Sequence, residues 1–195
     1  DSIKNFDIII AITGNEIFAK NELKPRQGQA KASITVPKIR EFIDEGGTLI
    51  IGGSVLVNTL EYLNLPLKFI KGDVFKKGEK FGDNLDYSIQ ELHLNEGLSL
   101  TNGMKERISL TFYPHDGSFV IDSSAFKVGF LPIADFNITN SPTKGNRVIQ
   151  ERLKNTVPMA ELPIGKGRII LFGMNPNYRY QSHAAFKLIF NALYP

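Results

Sequence analysis

The closing stretch Glu161–Pro195, ELPIGKGRIILFGMNPNYRYQSHAAFKLIFNALYP, constrains the fold more than any other part of the chain. Gly165–Gly167 reads as a hairpin turn, Arg168–Phe172 as a buried strand and Asn175–Gln181 as a polar loop. Ala184–Leu193 then forms an almost wholly apolar helix. Leaving Phe186, Ile189, Phe190 and Leu193 in water costs roughly 1.5–3 kcal/mol each, so this helix is expected to lie inside a layered domain. The same stretch sets His183 at a helix start beyond a strand's carboxyl end, a common place for a site in α/β proteins.

At the other end, Phe6–Ile12 (FDIIIAI) is a continuous apolar run, the pattern of a central parallel strand buried on both faces. It stops at the turn Thr13–Gly14–Asn15, and polar Glu16–Ser33, with Pro25 and Gly28, reads as a long loop. Thr35 is placed to cap a helix whose first turn holds Pro37. Val36, Ile39, Phe42 and Ile43 mark its apolar face, and Gly46–Gly47 ends it. Strand Thr48–Ile51, the tight turn Gly52–Gly53–Ser54 and a helix over Val55–Leu63 capped by Ser54 follow. This is the order of a doubly wound α/β sheet.

From Leu67 to Pro163 the pattern changes. Short alternating runs at Leu67–Ile70, Leu85–Leu94, Ile108–Tyr113, Ser118–Ile121 and Phe126–Ile133 are separated by Gly and Pro. They suit antiparallel strands, as an insertion or a sheet extension. Asn146–Asn155 reads as a short helix or a charged loop. A single domain over residues 1–195 is expected, with the β-rich part spanning about 67–163. The abrupt opening at Asp1–Asn5 reads as a piece of a longer polypeptide.

Composition removes several classes of function. The 195 residues include no cysteine, which excludes a disulfide framework, a thiolate zinc site and a cysteine nucleophile. The net charge of +3 is small, and the basic residues are dispersed apart from short clusters such as Lys76–Lys77. Nucleic acid is therefore not an expected partner. No run approaches the ~20 apolar residues of a membrane span.

Four groups of residues carry candidate chemistry. Gly52–Gly53–Ser54 is similar to a nucleophile elbow, whose sharp turn needs small residues. Val55 and Leu56 stand where a second small residue belongs, and the structural alternative is that Ser54 only caps a helix. His183 is the matching candidate base, with Glu161 and Asp135 as acids of unknown position. The spacing His93–Leu94–Asn95–Glu96 matches a zinc pair that His183 would complete, but short spacings of this kind arise by chance and no metal site is expected. Asn175–Gln181, with Tyr178 and Arg179, is a candidate binding rim, and Gly14, Asn15 and Gly53 join Asn175 as ligand-binding candidates. Asn137–Ile138–Thr139 matches a glycosylation sequon.

Taken together, GGTLIIGGS, LSLTNGM and PIGKGRIILFGMNPNYRYQSHAAFKLIFNALY resemble the amidotransferase-like domain that follows the catalytic domain in bacterial zinc carboxypeptidases. The matching elements are Gly165–Gly167, Phe172–Gly173, Gln181-Ser182-His183 and Phe186–Leu193. The resemblance implies a class I glutamine amidotransferase-like fold, a flavodoxin-like, mostly parallel sheet with helices on both faces. It implies an attached peptidase domain that holds zinc, no cofactor in this domain, and a periplasmic or extracellular setting. Active amidotransferases carry a cysteine at the elbow and His-x-Glu near the end. Here Ser54 and His183–Ala184–Ala185 stand in those places, which argues against amidotransferase activity. The expected role is a non-catalytic accessory domain that supports, regulates or targets the peptidase. A serine hydrolase using Ser54 and His183, a peptide- or glycan-binding module, and a homo-oligomerisation module are the alternatives.

Overall fold

The computed structural model describes residues 3–12, 18–71, 88–112, 116–121, 123–136, 153–177 and 183–194; the side chains of Lys4, Ser54, Val57, Lys71 and Ser88 stand outside that description. The strands in chain order are β1 (Ile8–Ile12), β2 (Thr48–Gly52), β3 (Leu67–Lys71), β4 (Ser88–Leu94), β5 (Arg107–Phe112), β6 (Gly117–Ile121), β7 (Leu131–Phe136), β8 (Met159–Ile164) and β9 (Gly167–Phe172). The helices are α1 (Ala32–Asp44), α2 (Leu56–Tyr62), α3 (Ser123–Lys127) and α4 (His183–Leu193).

Seven strands form one sheet in the order β1-β2-β9-β8-β7-β4-β5, and β3 pairs with β6 apart from it. Within the large sheet β1, β2 and β9 run parallel. The pairs β9–β8, β8–β7, β7–β4 and β4–β5 are all antiparallel. The expected flavodoxin-like, mostly parallel sheet is therefore corrected to a mixed and mostly antiparallel one. The antiparallel strands β8, β7, β4 and β5 continue the same sheet beyond β9 and supply its larger part. The cause is local. The tight turn between Ile164 and Gly167 closes a hairpin, so one side of β9 takes β8 antiparallel and only the other side is left for β2.

Alternating side chains divide the core. Leu49, Ile51, Ile169, Leu171, Ala160 and Leu162 pack with Ile39, Phe42 and Ile43 of α1 and Leu56 and Leu60 of α2. Ile50, Ile170, Phe172 and Met159 pack on the other face with Ala185, Leu188 and Ala192 of α4. A register shift between Pro132 and Ala134 leaves Ile133 and Ala134 both buried, the mark of a bulge.

Several local expectations change. α1 begins at Ala32, so Thr35 and Pro37 lie inside it and the N-cap position is Lys31. The helix start is served instead by Glu22, whose carboxylate accepts the Ser33 N–H at 2.8 Å and the Ser33 hydroxyl at 2.5 Å. The N-cap position of α2 is Val55 rather than Ser54, which lies within a 3-10 turn, Gly53–Val55. Phe126 belongs to α3 rather than to a strand. Among the described residues β1 stands at the end of the sheet rather than at its centre, and Ile10 is 49% exposed. On α4 the small face turns inward: Ala185, Leu188, Asn191 and Ala192 are buried, whereas Phe190 is 58% exposed. Alanine lets the helix approach the sheet closely, and the aromatic face is left outside. The stop at Gly46–Gly47 is as read, with Gly46 at φ +124° and its N–H on the Ile43 carbonyl.

Candidate functional site

The carboxyl ends of β2 and β9 lie side by side, with Gly52 in register with Phe172. Glycine at both positions of the following turn has a backbone reason. A Cβ on Gly52 would stand 3.1 Å from Phe172 Cβ and 3.2 Å from the Met174 carbonyl oxygen. Gly53 adopts φ +68°, the left-handed region that an L side chain rarely takes. Val55 and Leu56 then turn into the α1–α2 face of the core. The two glycines make the elbow, and they do so whether or not a nucleophile follows.

A second close approach completes this end of the sheet. A Cβ on Gly173 would fall 2.3 Å from the Gly117 carbonyl oxygen, so the start of β6 crosses the end of β9 backbone to backbone. The Gly117 N–H donates to Gly173 O at 2.7 Å and the Gly173 N–H to Pro158 O at 2.8 Å. The crossing sets Asp116 in a buried position, where its Oδ1 accepts the Asn175 N–H at 3.1 Å. Asn175 Oδ1 in turn accepts the Asn177 N–H at 3.2 Å, which shapes the start of the loop after β9. Asp116 was not read as functional from the sequence. The only signal was an Asp-Gly pair ahead of a strand, which marks a turn.

Among the sequence candidates, Gly53 and Asn175 thus flank the same strand ends. Gly14, Asn15, Tyr178 and Arg179 lie outside the described residues, as do Lys76–Lys77 and the sequon. Ser54 begins the path into α2, which packs on one face of the sheet, and His183 opens α4, which packs on the other. His183 is exposed, with its ring 6.3 Å from that of Phe186. Among the described residues no carboxylate is bonded to it. Glu161 is engaged by Arg168 at 3.4 Å, and Asp135 stands on β7 in register with His93.

His93 does not join Glu96. Its Nε2 lies 2.8 Å from Glu106 Oε1 across the β4–β5 pair, a bond in which the ring N–H donates to the carboxylate. Among the described residues no group of three His, Asp or Glu side chains is placed to hold a metal ion. The connection between β4 and β5 borders an open, polar hollow of about 530 Å³, lined among others by Asn95, Glu96, Ser99, Asn102 and Lys105. Asn191 of α4 pins this loop by donating to the Leu100 and Asn102 carbonyls at 2.8 and 3.0 Å. Among the described residues no helix is long and apolar enough to cross a membrane.

No family model matches the chain, and no curated protein matches it. Solved structures do. A cytoplasmic protein from Salmonella typhimurium matches with a TM-score of 0.58 at 15% identity, over 98% of this chain and 72% of that one. A ThuA-like protein from Bacteroides uniformis matches with a TM-score of 0.52 at 11% identity, over 98% and 69%. A β-galactosidase from Bacillus circulans matches with a TM-score of 0.52 at 12% identity, over 98% of this chain but 23% of that one. At such identities the likeness is one of fold, and none of the three is a zinc carboxypeptidase domain.

Proposed function

We propose that this chain is a non-catalytic accessory domain of a larger hydrolase, one that supports, regulates or targets an attached zinc peptidase. The observation that carries the reading is the setting of His183, which is exposed, lies against Phe186 and has no carboxylate bonded to it among the described residues. A serine hydroxyl needs an oriented base to attack an amide or ester. The Gly52–Gly53 turn is accounted for by backbone packing alone. Two further observations support an attached role. Phe190 of α4 and Tyr194 just beyond its end are 58% and 78% exposed, apolar surface that another domain could cover. The same fold also occurs within 23% of a β-galactosidase chain, as one part of a larger hydrolase.

The peptidase half of the reading rests on the closing motif through His183–Leu193, and it is tested in the gene. The reading frame upstream of Asp1 is expected to encode a zinc carboxypeptidase domain. A stop codon or an unrelated domain there would remove the peptidase from the proposal.

A further inference from the structure

The charge of the chain is unevenly placed. Residues 20–38 hold five of its 23 Lys and Arg and one of its 20 Asp and Glu, a net charge of +4, so the other residues together carry −1. Lys20, Lys24, Arg26, Lys31 and Lys38 are all exposed. No two of them are adjacent in sequence, and a closed loop gathers the first four. Its base is the Phe18–Ala30 bridge, where the Ala19 N–H donates to Ala30 O at 2.9 Å. Phe18 anchors that base, fully buried and with its ring 5.0 Å from that of Tyr62. Between its ends the loop is shaped by its own polar groups. Asn21 Oδ1 accepts the Leu23 N–H at 3.0 Å, and Gln29 Oε1 accepts the Arg26 N–H at 3.2 Å. A surface loop of this length with its ends together is an Ω-loop.

Apolar side chains stand among these cations. The bonds from Ser33 to Glu22 join the loop to the start of α1. The residues that follow this pair, Leu23 and Ile34, are 90% and 55% exposed. Lys31 at the N-cap, Ile34 and Lys38 have the spacing of one helical face. The acids of the helix, Glu41, Asp44 and Glu45, come at its other end, ~15 Å or more beyond Lys31 at about 1.5 Å per residue. We infer that this loop and the first turns of α1 dock on an anionic lipid surface. Leu23 enters the headgroup layer, and Lys20, Lys24, Arg26 and Lys31 meet the phosphates around it. The charge of the loop is complementary to such a surface. A leucine that projects almost wholly into water suits a fluid layer that closes around it. Four of the five cations are lysine, a point charge that follows mobile headgroups, whereas arginine serves fixed, bidentate recognition. Residues 19–38 include no aromatic side chain on which a nucleic-acid base would stack. Affinity for a bilayer surface grows with the apolar area buried and with the attraction of cations to anionic lipid. Each Lys or Arg close to the surface adds about fivefold. The docking is independent of the accessory role proposed above.

Cosedimentation with lipid vesicles tests this. The chain is expected to bind vesicles of phosphatidylcholine mixed with phosphatidylglycerol and not vesicles of phosphatidylcholine alone. Binding is expected to fall at least about tenfold between roughly 0.05 and 0.5 M salt. Lys24→Glu combined with Arg26→Glu is expected to weaken it at least about tenfold. Leu23→Ser is expected to weaken it about tenfold. The melting temperature changes little in both, because all three side chains are exposed. The chain has no tryptophan, so Leu23→Trp reports on its own surroundings. Its emission is expected to shift to the blue with the anionic vesicles. Tyr194→Trp, just beyond α4 and so beyond the helix that packs on the opposite face of the sheet from α1, is expected not to shift. Equal binding to both vesicles, binding untouched by Leu23→Ser, or an unshifted Leu23→Trp would each overturn the docking. Binding to soluble polyglutamate with none to vesicles would assign the loop to an acidic protein instead. Loss of vesicle binding in the polypeptide encoded by the whole reading frame would show the loop covered by another domain, and would overturn it too. The Leu23→Trp arm stands even if the charge-reversed variant fails to fold.

Discussion

Asp116 and Asn175, 59 residues apart in sequence, are joined by a 3.1 Å hydrogen bond from the Asn175 N–H to the Asp116 carboxylate. The bond ties the start of β6 to the exit of β9, at the end of the sheet where the candidate residues gather. Asp116→Ala is expected to lower stability by about 1–3 kcal/mol, because a donor at a largely buried place loses its acceptor. Asp116→Asn keeps an acceptor and is expected to lose less. Urea unfolding with an unchanged slope measures both, and an unshifted midpoint for Asp116→Ala would contradict this role.

Gly173→Ala is expected to be at least as damaging. Its Cβ would fall 2.3 Å from one backbone carbonyl and 2.9 Å from another, and neither is the free end of a side chain. Backbone must move, at a cost of about 1–3 kcal/mol or more. Gly97→Ala offers a contrast, since its Cβ would meet nothing within 4 Å and only its φ of +79° resists. The melting temperature of Gly173→Ala is expected to fall further than that of Gly97→Ala.

Local punctuation was legible in the sequence, and strand partners were not. Gly46–Gly47 marked the end of α1 and Gly165–Gly167 marked the β8–β9 turn because positive φ and tight reversal demand particular residues. Pairing direction is set by which strands meet, and alternation along one strand carries no record of that. Even so, the hairpin already contained the correction, since a turn that short makes β8 antiparallel to β9. The apolar run of β1 signals burial, and among the described residues only β2 pairs with it. In α4 apolar size points to the phenylalanines as the buried face, but Ala185, Leu188 and Ala192 are the apolar residues that fit against the sheet. Asp116 and Asn191 were illegible because their partners lie 59 and 91 residues away.

Asn191→Ala removes both hydrogen bonds that fix the loop between β4 and β5 to α4. Faster amide exchange is expected through Leu100–Met104, with β8 and β9 unchanged. The stability loss is expected at about 1–3 kcal/mol. Exchange that rises equally across the whole sheet would mean that the loop is not the part being held.

Glu22 gives a pH test. The Ser33 hydroxyl, and then the Ser33 N–H, hold its carboxyl below the usual carboxylate range. The folded chain then binds fewer protons there than the unfolded chain, so the contribution is present above the ordinary carboxylate pKa and is lost as pH falls through the lowered one. Ser33→Ala is expected to raise the Glu22 pKa toward its ordinary value. Carbon NMR titration of the Glu22 carboxyl reads this directly, and an unchanged midpoint would contradict the pairing.

The reaction of Ser54 with a fluorophosphonate tests the central claim most directly, read by intact mass and peptide mapping. The non-catalytic reading predicts no adduct in the wild-type chain or in His183→Ala. An adduct on Ser54 that disappears in His183→Ala would show a working nucleophile and base, and would contradict the non-catalytic role.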